Sequence, residues 1–334
     1  MNTKRIISLV ASLALVLSLS VGLTGCGDKA AQNDNQGSTD GEGTKYTVGI
    51  CQLVQHEALD AATQGFIDAL NEALPGQVEF QNKNASGDNA NCSTIVNGFV
   101  SDGVDLIMAN ATGALTAAAA ATSDIPILGT SITAYGVALD IDDFSGTVGG
   151  NVSGTSDLAD LQKQAQMILD WFPETKTVGL LFCSAEPNSR YQIDEVRKAL
   201  EAQGVTCEEF AFTDSNDVSS VTQKAADFSD VVYIPTDNTA ASNTEAIANV
   251  LIPAGVPAIC GEEGLCRGCG VATLSISYYD LGVTTGKMAA KILKGEANIS
   301  EMPVEYTDAT PKYNASICDQ LGITPLDGYE AIDG

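Results

Sequence analysis

The side chains in this sequence that are suited to chemistry are short hydroxyl, amide and carboxyl groups that directly follow apolar runs. They come in small groups, and each group precedes a stretch with helical periodicity. Such groups hydrogen-bond small polar molecules, and those at a helix start also lie beside unpaired backbone N–H groups. The candidate binding residues are Gln55, His56, Thr112, Gly113, Ser131, Thr133, Ser184, Asn188, Ser189, Asp237, Asn238 and Glu262.

Several candidates also have a purely structural interpretation that the sequence leaves open. Asp237 and Asn238 are residue types favoured for capping a helix start. Glu262 belongs to a chain rich in solvated acids, so it fits the surface as well as a cleft. His56 is the only histidine, and a single histidine commonly bonds a backbone carbonyl. Tyr278 fits either the core or the wall of a cleft.

An enzyme is the main alternative class, and the sequence offers little to build one with. It has one histidine and no H-E-x-x-H, G-x-S-x-G or phosphate-binding Gly-Lys-Ser/Thr motif. Cys266-Arg267-Gly268-Cys269 is an isolated C-x-x-C, whereas a zinc site needs four ligands. We therefore expect no catalytic residues, no metal and no cofactor, although hydrolysis by carboxylates alone stays open in so acidic a chain.

The elements that must position these residues follow from the alternation of short β-branched runs with longer helical patterns, which is typical of parallel sheets. The alternation stops in a segment rich in Gly, Ser, Thr and Asp (residues 140–157) and then starts again. This predicts an α/β fold with two Rossmann-like lobes, each a parallel sheet flanked by helices, joined by a hinge. We assign residues 45–150 and about 274–300 to the first lobe, and 151–273 and about 301–334 to the second.

The predicted fold brings the candidate residues together. In open α/β sheets, ligands bind outside the carboxyl ends of the strands, and candidates follow strand-like runs in both lobes. A helix N-terminus suits a carboxylate, and Asp237 or Glu262 could supply the anion for an ammonium group. The sequence therefore predicts a cleft that recognises the head of an amino acid and closes over it.

Several motifs in this order resemble those of type I periplasmic-binding proteins. More narrowly, they resemble the ABC-transporter substrate-binding family that includes receptors for tryptophan and other aromatic amino acids, over nearly all of residues 45–325. The matching stretches are Val54-Gln55-His56-Glu57-Ala58-Leu59-Asp60, Asn151-Val152-Ser153-Gly154-Thr155-Ser156-Asp157, Ser184-Ala185-Glu186-Pro187-Asn188-Ser189, Tyr233-Ile234-Pro235-Thr236-Asp237-Asn238, Gly261-Glu262-Glu263-Gly264 and Tyr278-Tyr279-Asp280-Leu281-Gly282.

Two positions depart from the pattern of this family. The family usually has proline after the histidine of the first motif, where this chain has Glu57. Its Ala-Thr-Pro after the third strand is Ala111-Thr112-Gly113 here. Both changes fall where the cleft is expected, so the ligand of a relative cannot simply be copied.

The N-terminus has the order of features found in bacterial lipoproteins. Lys4 and Arg5 precede an apolar run that is shorter than the ~20 residues of a spanning helix. Leu23-Thr24-Gly25-Cys26 then resembles a lipobox. We therefore predict a signal peptide over residues 1–25 and lipidation of Cys26. Residues 27–44, which are mostly polar or small, would form a flexible linker.

Charge and cysteine content limit the remaining classes. The net charge is −27, and removing Lys4 and Arg5 with the signal takes it to −29, which repels nucleic acid and anionic lipid headgroups. Eight cysteines remain besides Cys26. Several fall in apolar strand-like runs, where cysteine behaves as a small buried hydrophobe, so we favour mostly free thiols.

Together these features predict a monomeric solute receptor of an ABC importer, anchored by lipid alone on the outer face of the cytoplasmic membrane. Its partners would be a small solute, most simply an aromatic amino acid such as tryptophan, and a permease with its ATPase; nucleic acid is not expected. A ligand-sensing receptor of the same fold and an anchored extracellular hydrolase are the alternatives.

Overall fold

The computed structural model describes residues 45–332. The signal peptide, the lipidated Cys26 and the linker predicted from the sequence lie outside the described residues. Among the helices of the described part, none has the length and apolar character needed to cross a bilayer.

Within residues 45–332, the first lobe is built on a six-stranded sheet whose pairings are all parallel. Its strands are β1 (Tyr46–Gln52), β2 (Val78–Asn84), β3 (Leu106–Asn110), β4 (Ile127–Ile132), β5 (Val152–Ser156) and β11 (Glu305–Tyr306). They lie in the order β11-β5-β4-β3-β1-β2 across the sheet.

The second lobe is built on a seven-stranded, mostly parallel sheet in the described part of the chain. Its strands are β6 (Thr177–Cys183), β7 (Thr206–Phe212), β8 (Val231–Ile234), β9 (Ala258–Cys260), β10 (Ala272–Ser275), β12 (Thr310–Tyr313) and β13 (Glu330–Ala331). They lie in the order β13-β12-β10-β9-β8-β6-β7, and β10 pairs with β12 in the antiparallel sense.

Helices follow the strands of both sheets, as the alternating sequence pattern predicts. They are α1 (Glu57–Ala73), α2 (Asn89–Asp102), α3 (Thr112–Ala121), α4 (Tyr135–Ala138), α5 (Leu161–Trp171), α6 (Pro187–Glu201), α7 (Val218–Phe228), α8 (Asn238–Ala241), α9 (Thr244–Ala254), α10 (Glu263–Cys269), α11 (Tyr278–Leu293) and α12 (Ala315–Leu321), with a 3₁₀ turn at Ile299–Glu301.

The helices cover both faces of each sheet because strand side chains alternate. In β3, Leu106 and Met108 pack with Phe66 of α1, whereas Ile107 packs with Phe99 of α2 on the other face. Each large apolar side chain buried in this way contributes about 1.5–3 kcal/mol. A strand with two covered faces is apolar throughout, which is why β3 shows no polar alternation in the sequence.

The sheets divide the chain slightly differently from the sequence assignment. Residues 151–156 and 301–306 were assigned to the second lobe, but β5 and β11 pair in the first sheet. Within residues 45–332 the chain therefore passes between the sheets in three segments, which we call the crossovers: residues 157–160, 276–277 and 307–309. The strand β5 was not expected because its sequence, VSGTS, lacks large apolar residues.

Helix α11 follows the second crossover and packs back against α1 in the first lobe. The two helices cross closely at glycines. A methyl group added at Gly282 would overlap the carbonyl oxygen of Ala62, and one added at Gly65 would overlap that of Tyr279. This contact fixes the end of the second crossover to the first lobe.

The eight cysteines of the described residues are all free thiols, and all but Cys207 are buried. Cys266 and Cys269, the isolated C-x-x-C of the sequence, lie on α10 with their side chains in the second lobe's core. The pKa of Cys266 is raised by burial, so its thiol form is favoured there.

Candidate functional site

A cavity lies between the two lobes, where the carboxyl ends of the strands of both sheets face each other. Its free volume is about 10 Å³, which is room for about one water molecule. The walls come from both lobes and from the first crossover. The lining residues are His56, Leu59, Ser131, Thr133, Asp157, Asn188, Thr236, Asp237, Asn238, Ala241, Glu262 and Tyr278.

Asp157, in the first crossover, carries an unpaired carboxylate oxygen in this cavity. The residue is only 4 % exposed, and its Oδ2 accepts a hydrogen bond of 2.9 Å from the Tyr278 hydroxyl. Its Oδ1 finds no donor in the described part of the chain. Burial raises the pKa of Asp157, and the bond from Tyr278 and the influence of the nearby Thr133 hydroxyl oppose this shift. Because buried polar atoms are nearly always paired, this oxygen is available to a donor from a molecule bound in the cavity.

Ser131 provides a second unpaired group on the same wall. Its hydroxyl is buried and has no partner among the described residues. The backbone at Ser131 has φ = 56°, and the pairing of β4 with β5 shifts register between Gly129 and Ile132. Conformations of this kind are costly for residues other than glycine and cluster at functional sites.

The carboxyl groups of Asp237 and Glu262 are held within the second lobe. Asp237 accepts hydrogen bonds from the backbone N–H groups of Cys183 (2.6 Å) and Ala240 (2.8 Å). Glu262 caps α10 by accepting from the N–H groups of Gly264 (2.6 Å) and Leu265 (2.5 Å). Both carboxyls therefore already have hydrogen-bond partners within the protein. Each accepts hydrogen bonds at the start of a helix, which is a structural role.

Burial also shifts the ionisation of these two acids. Burial and the nearby Glu186 raise the pKa of Asp237 to about 8, against the opposing effect of its backbone hydrogen bonds. Burial raises the pKa of Glu262 to about 7, again opposed by backbone N–H groups. Both acids thus hold protons more strongly than exposed carboxyls do.

One hydrogen bond joins the lobes across the cavity. His56 Nε2 lies 3.2 Å from Asn238 Oδ1, so the ring N–H donates to the amide oxygen. Asn238 is itself oriented by Glu186, which accepts from its backbone N–H (3.0 Å) and its Nδ2 (2.7 Å). Burial lowers the pKa of His56, against the opposing influence of Asn238, Glu186 and Asp60. The imidazole is therefore neutral at pH 7.

Among the described residues, three helices begin at this edge of the first sheet without a side-chain cap. They are α1, after His56, α3, after Ala111, and the short α4, after Ala134. His56 and Leu59 place the first turn of α1 beside the cavity. The first N–H groups of a helix carry a partial positive charge, so this turn offers donors to an anionic group. Ala111 has φ = 84°, a strained backbone for a residue with a Cβ.

The structure brings together most of the residues predicted from the sequence. Those lining the cavity are His56, Ser131, Thr133, Asn188, Asp237, Asn238 and Glu262, and Gln55 lies in an adjoining interlobe chamber. The remaining four lie elsewhere. They are Thr112 and Gly113, which pack at the start of α3, the exposed Ser184, and Ser189, which is buried against Asp237.

Asp157 lines the cavity although the sequence did not predict it as a binding residue. It ends the stretch from Asn151 to Asp157 that resembles the family, but nothing in the sequence shows that its oxygen is unpaired. Tyr278, its partner, was left open between core and cleft wall; it is buried and lines the cavity. Thr236, Leu59 and Ala241 complete the walls without having been predicted.

The chain matches proteins of one family over most of its length. The model of the family described as ABC transporter substrate binding protein matches residues 47–328. A tyrosine-binding protein of Clostridioides difficile (strain R20291) is 33% identical over 320 residues, which is 92% of this chain and 89% of that protein.

Solved structures agree in fold and confirm the two-lobed α/β prediction. An ABC domain from Streptococcus pneumoniae in complex with L-Trp is 31% identical, with a TM-score of 0.82, covering 86% of this chain and 100% of the other. The ligand-free, open structure of a substrate-binding protein with adhesive properties from Clostridium difficile is 33% identical, with a TM-score of 0.65 over 86% and 99% of the chains. The chain belongs to the ABC transporter substrate-binding protein family.

Proposed function

We propose that this protein captures an amino acid with an aromatic side chain between its lobes and delivers it to an ABC importer. The observation that carries this proposal is the interlobe cavity with two unpaired buried groups, Asp157 Oδ1 and Ser131 Oγ. Both are on the wall formed by the first lobe and its crossover. A ligand with a hydrogen-bond donor satisfies both, and an ammonium group suits the carboxylate best.

The head of an amino acid fits the groups around this wall. Asp157 pairs with the ammonium group, and the uncapped first turn of α1 receives the carboxylate. The described residues that line the cavity include no lysine or arginine, so backbone N–H groups are the donors for an anion. The second lobe contributes Asn188 and Asn238, whose amides are already fixed by Glu186.

The aromatic side chain is supported by two relatives, one a tyrosine-binding protein and the other bound to L-Trp. In the cavity, Leu59, Ala241 and Tyr278 supply apolar surface. Rings pack well against such surface and against another ring placed edge-on or offset. These three residues select the side chain of the solute, and the polar contacts to its ammonium and carboxylate groups orient it.

Binding requires the lobes to move. Pockets that hold small molecules commonly measure about 300–1,000 Å³, whereas this cavity has about 10 Å³. At similar sequence identity, the fold overlaps better with the L-Trp complex than with the ligand-free, open structure. Both observations favour a closed conformation, so the solute enters an open form and shifts the population toward closure.

We propose that Cys26 carries the lipid that holds the protein on the outer face of the membrane, with residues 27–44 as the tether. The order of basic residues, apolar run and Leu23-Thr24-Gly25-Cys26 supports this. A permease with its ATPase is the implied partner, since family members serve ABC transporters. Labelled palmitate should enter the wild-type protein and not a Cys26→Ala variant; equal labelling of the variant contradicts the assignment.

A solute screen tests the proposed substrate class. The full chain is mixed with each of the twenty amino acids, and thermal unfolding is followed. A ligand at 100 times its Kd stabilises the folded state by about 2.7 kcal/mol, which moves the Tm by several degrees. We expect the largest shifts from tyrosine, tryptophan and phenylalanine, with the solute recovered unchanged. No shift from any of the three, or consumption of the solute, refutes the proposal.

A further inference from the structure

An ion pair joins the two lobes beside the cavity. Glu57 lies in the first turn of α1 in the first lobe, and Arg267 lies on α10 in the second. Arg267 Nη1 is 3.3 Å from Glu57 Oε1. Every other ion pair in the described part of the chain lies within the second lobe or joins it to the adjoining end of the first crossover. The contact between Glu57 and Arg267 therefore exists only when the lobes are together.

The guanidinium of Arg267 is oriented by a network within its own lobe. Its Nη2 lies 2.8 Å from Glu263 Oε1. The other oxygen of Glu263 lies 2.8 Å from Lys312 Nζ and accepts from the Ser275 hydroxyl. A side chain that is already held in place loses less conformational entropy when it forms another contact. Arg267 is thus prepared to meet Glu57 as the lobes close.

The pair lies in the wall of an interlobe chamber that adjoins the cavity. This chamber, of about 330 Å³, has both Glu57 and Arg267 in its wall. It also has His56, Ala241 and Glu262, which line the cavity itself. The ion pair therefore bridges the lobes at the chamber next to the cavity.

We propose that Glu57 and Arg267 form an interlobe clasp, a pair of positioning residues that stabilises the closed state and makes solute retention depend on ionic strength. The part that concerns the solute rests on the proposed function. The part that concerns closure does not, because the clasp forms between two lobes of the same chain whatever solute is bound.

The expected size of the effect follows from exposure. The side chains of Arg267 and Glu57 are 38% and 55% exposed, so solvent screens the attraction. Exposed pairs change an equilibrium by about 1.5-fold to fivefold. The screening length falls from about 10 Å at 0.1 M salt to about 3 Å at 1 M, so high salt removes most of this factor.

The test compares Glu57→Gln with a matched control, Glu245→Gln. Both glutamates are exposed and lie in the first turn of a helix, so their effects on the helix dipole are alike. Glu245 forms no ion pair within residues 45–332. Dissociation of L-tyrosine and L-tryptophan is measured at 0.05 M and 1 M salt, together with small-angle scattering of the solute-free protein.

For Glu57→Gln we expect dissociation about 1.5-fold to fivefold faster at low salt, a larger scattering radius, and little difference from wild type at 1 M salt. The control should match wild type throughout. In an Arg267→Gln background, Glu57→Gln should have no further effect, since the pair is already broken. Additive effects of the two substitutions, or an effect of Glu57→Gln that persists at 1 M salt, overturn the clasp.

Scattering separates this inference from the proposed function. If neither amino acid binds the wild-type protein, the substrate proposal fails while the solute-free comparison of Glu57→Gln with Glu245→Gln still decides the clasp. If both bind but the variants have equal envelopes and equal dissociation rates, the clasp is wrong and the proposed function stands.

Discussion

Replacing Asp157 by asparagine tests the central contact of the site. Asparagine keeps the shape of the side chain and an oxygen that accepts the 2.9 Å hydrogen bond from Tyr278. It removes the negative charge next to the proposed ammonium group. Because the amide NH2 then takes the place of Oδ1, any change in affinity reports the loss of the charge and of the acceptor at that position and not the loss of a packing contact.

The magnitude follows from the environment of Asp157. A hydrogen bond to a charged group contributes about 1.5–3 kcal/mol, which corresponds to about a tenfold to 150-fold increase in Kd. Stability should move the other way. Burial raises the pKa of Asp157, so above the unfolded pKa of 3.8 the ionised side chain costs folding free energy. The solute-free variant should be at least as stable as wild type at pH 7.5.

Calorimetric titration with tyrosine and tryptophan measures the affinity, and thermal unfolding without solute measures the stability. Asp160→Asn is the control. Asp160 lies three residues away in the same crossover and caps α5 through Gln162 and Lys163, and asparagine caps as well as aspartate does. The control should bind like wild type.

Affinity of Asp157→Asn within twofold of wild type would mean that the ammonium group lies elsewhere. Equal losses in Asp157→Asn and Asp160→Asn would mean that the crossover as a whole had been disturbed. Either result refutes the reasoning from the unpaired oxygen, and a loss of stability in Asp157→Asn would show that burial of its charge was not costly.

Two further predictions follow from the contacts between elements. Closure buries His56 and lowers its pKa from the ordinary value of 6.5, whereas opening returns the ring to water. Because Asp237 and Glu262 also titrate near neutral pH, the quantity to measure is the solute affinity of the wild type relative to that of a His56→Gln variant from pH 7.5 to 5.5. This ratio should fall below about pH 6.5, by at most about tenfold per pH unit. Gly282→Ala places a methyl group against the Ala62 carbonyl and should lower the free energy of unfolding by about 1–3 kcal/mol. The control, Gly98→Ala on α2, has open space around it and should raise the free energy of unfolding by about 0.5–1 kcal/mol. Chemical denaturation measures both, and equal effects at the two glycines contradict the close crossing of α1 and α11.

The regular elements were predictable because burial on both faces of a sheet produces local patterns of apolar residues in the sequence. The apolar run of β3 and the helical spacing of α1 predict their elements without tertiary information. The strand β5 was missed because Val152–Ser156 is small and polar and becomes a strand only through pairing with β4. This error moved the predicted lobe boundary from residue 156 to residue 150.

The site was predictable in outline because polar residues that follow strands converge at one edge of each sheet. What each group does there depends on distant partners. Asp237 and Glu262 were proposed as anions for the ligand, but neighbouring backbone N–H groups occupy them. Asp157 was overlooked because its partner Tyr278 lies 121 residues away. Glu57 was noted as a departure from the family, but its partner Arg267 emerges only from the fold.

The three crossovers restrict how the molecule works. A chain that passes between two bodies three times allows them to pivot but not to drift apart, and the groups nearest the pivot travel least. Asp157 belongs to one of these crossovers, whereas Asn238 and Arg267 belong to the second lobe, which moves relative to the first. We therefore expect the amine of an incoming solute to bind first, at Asp157, which moves little. Selection among side chains would follow when the lobes close.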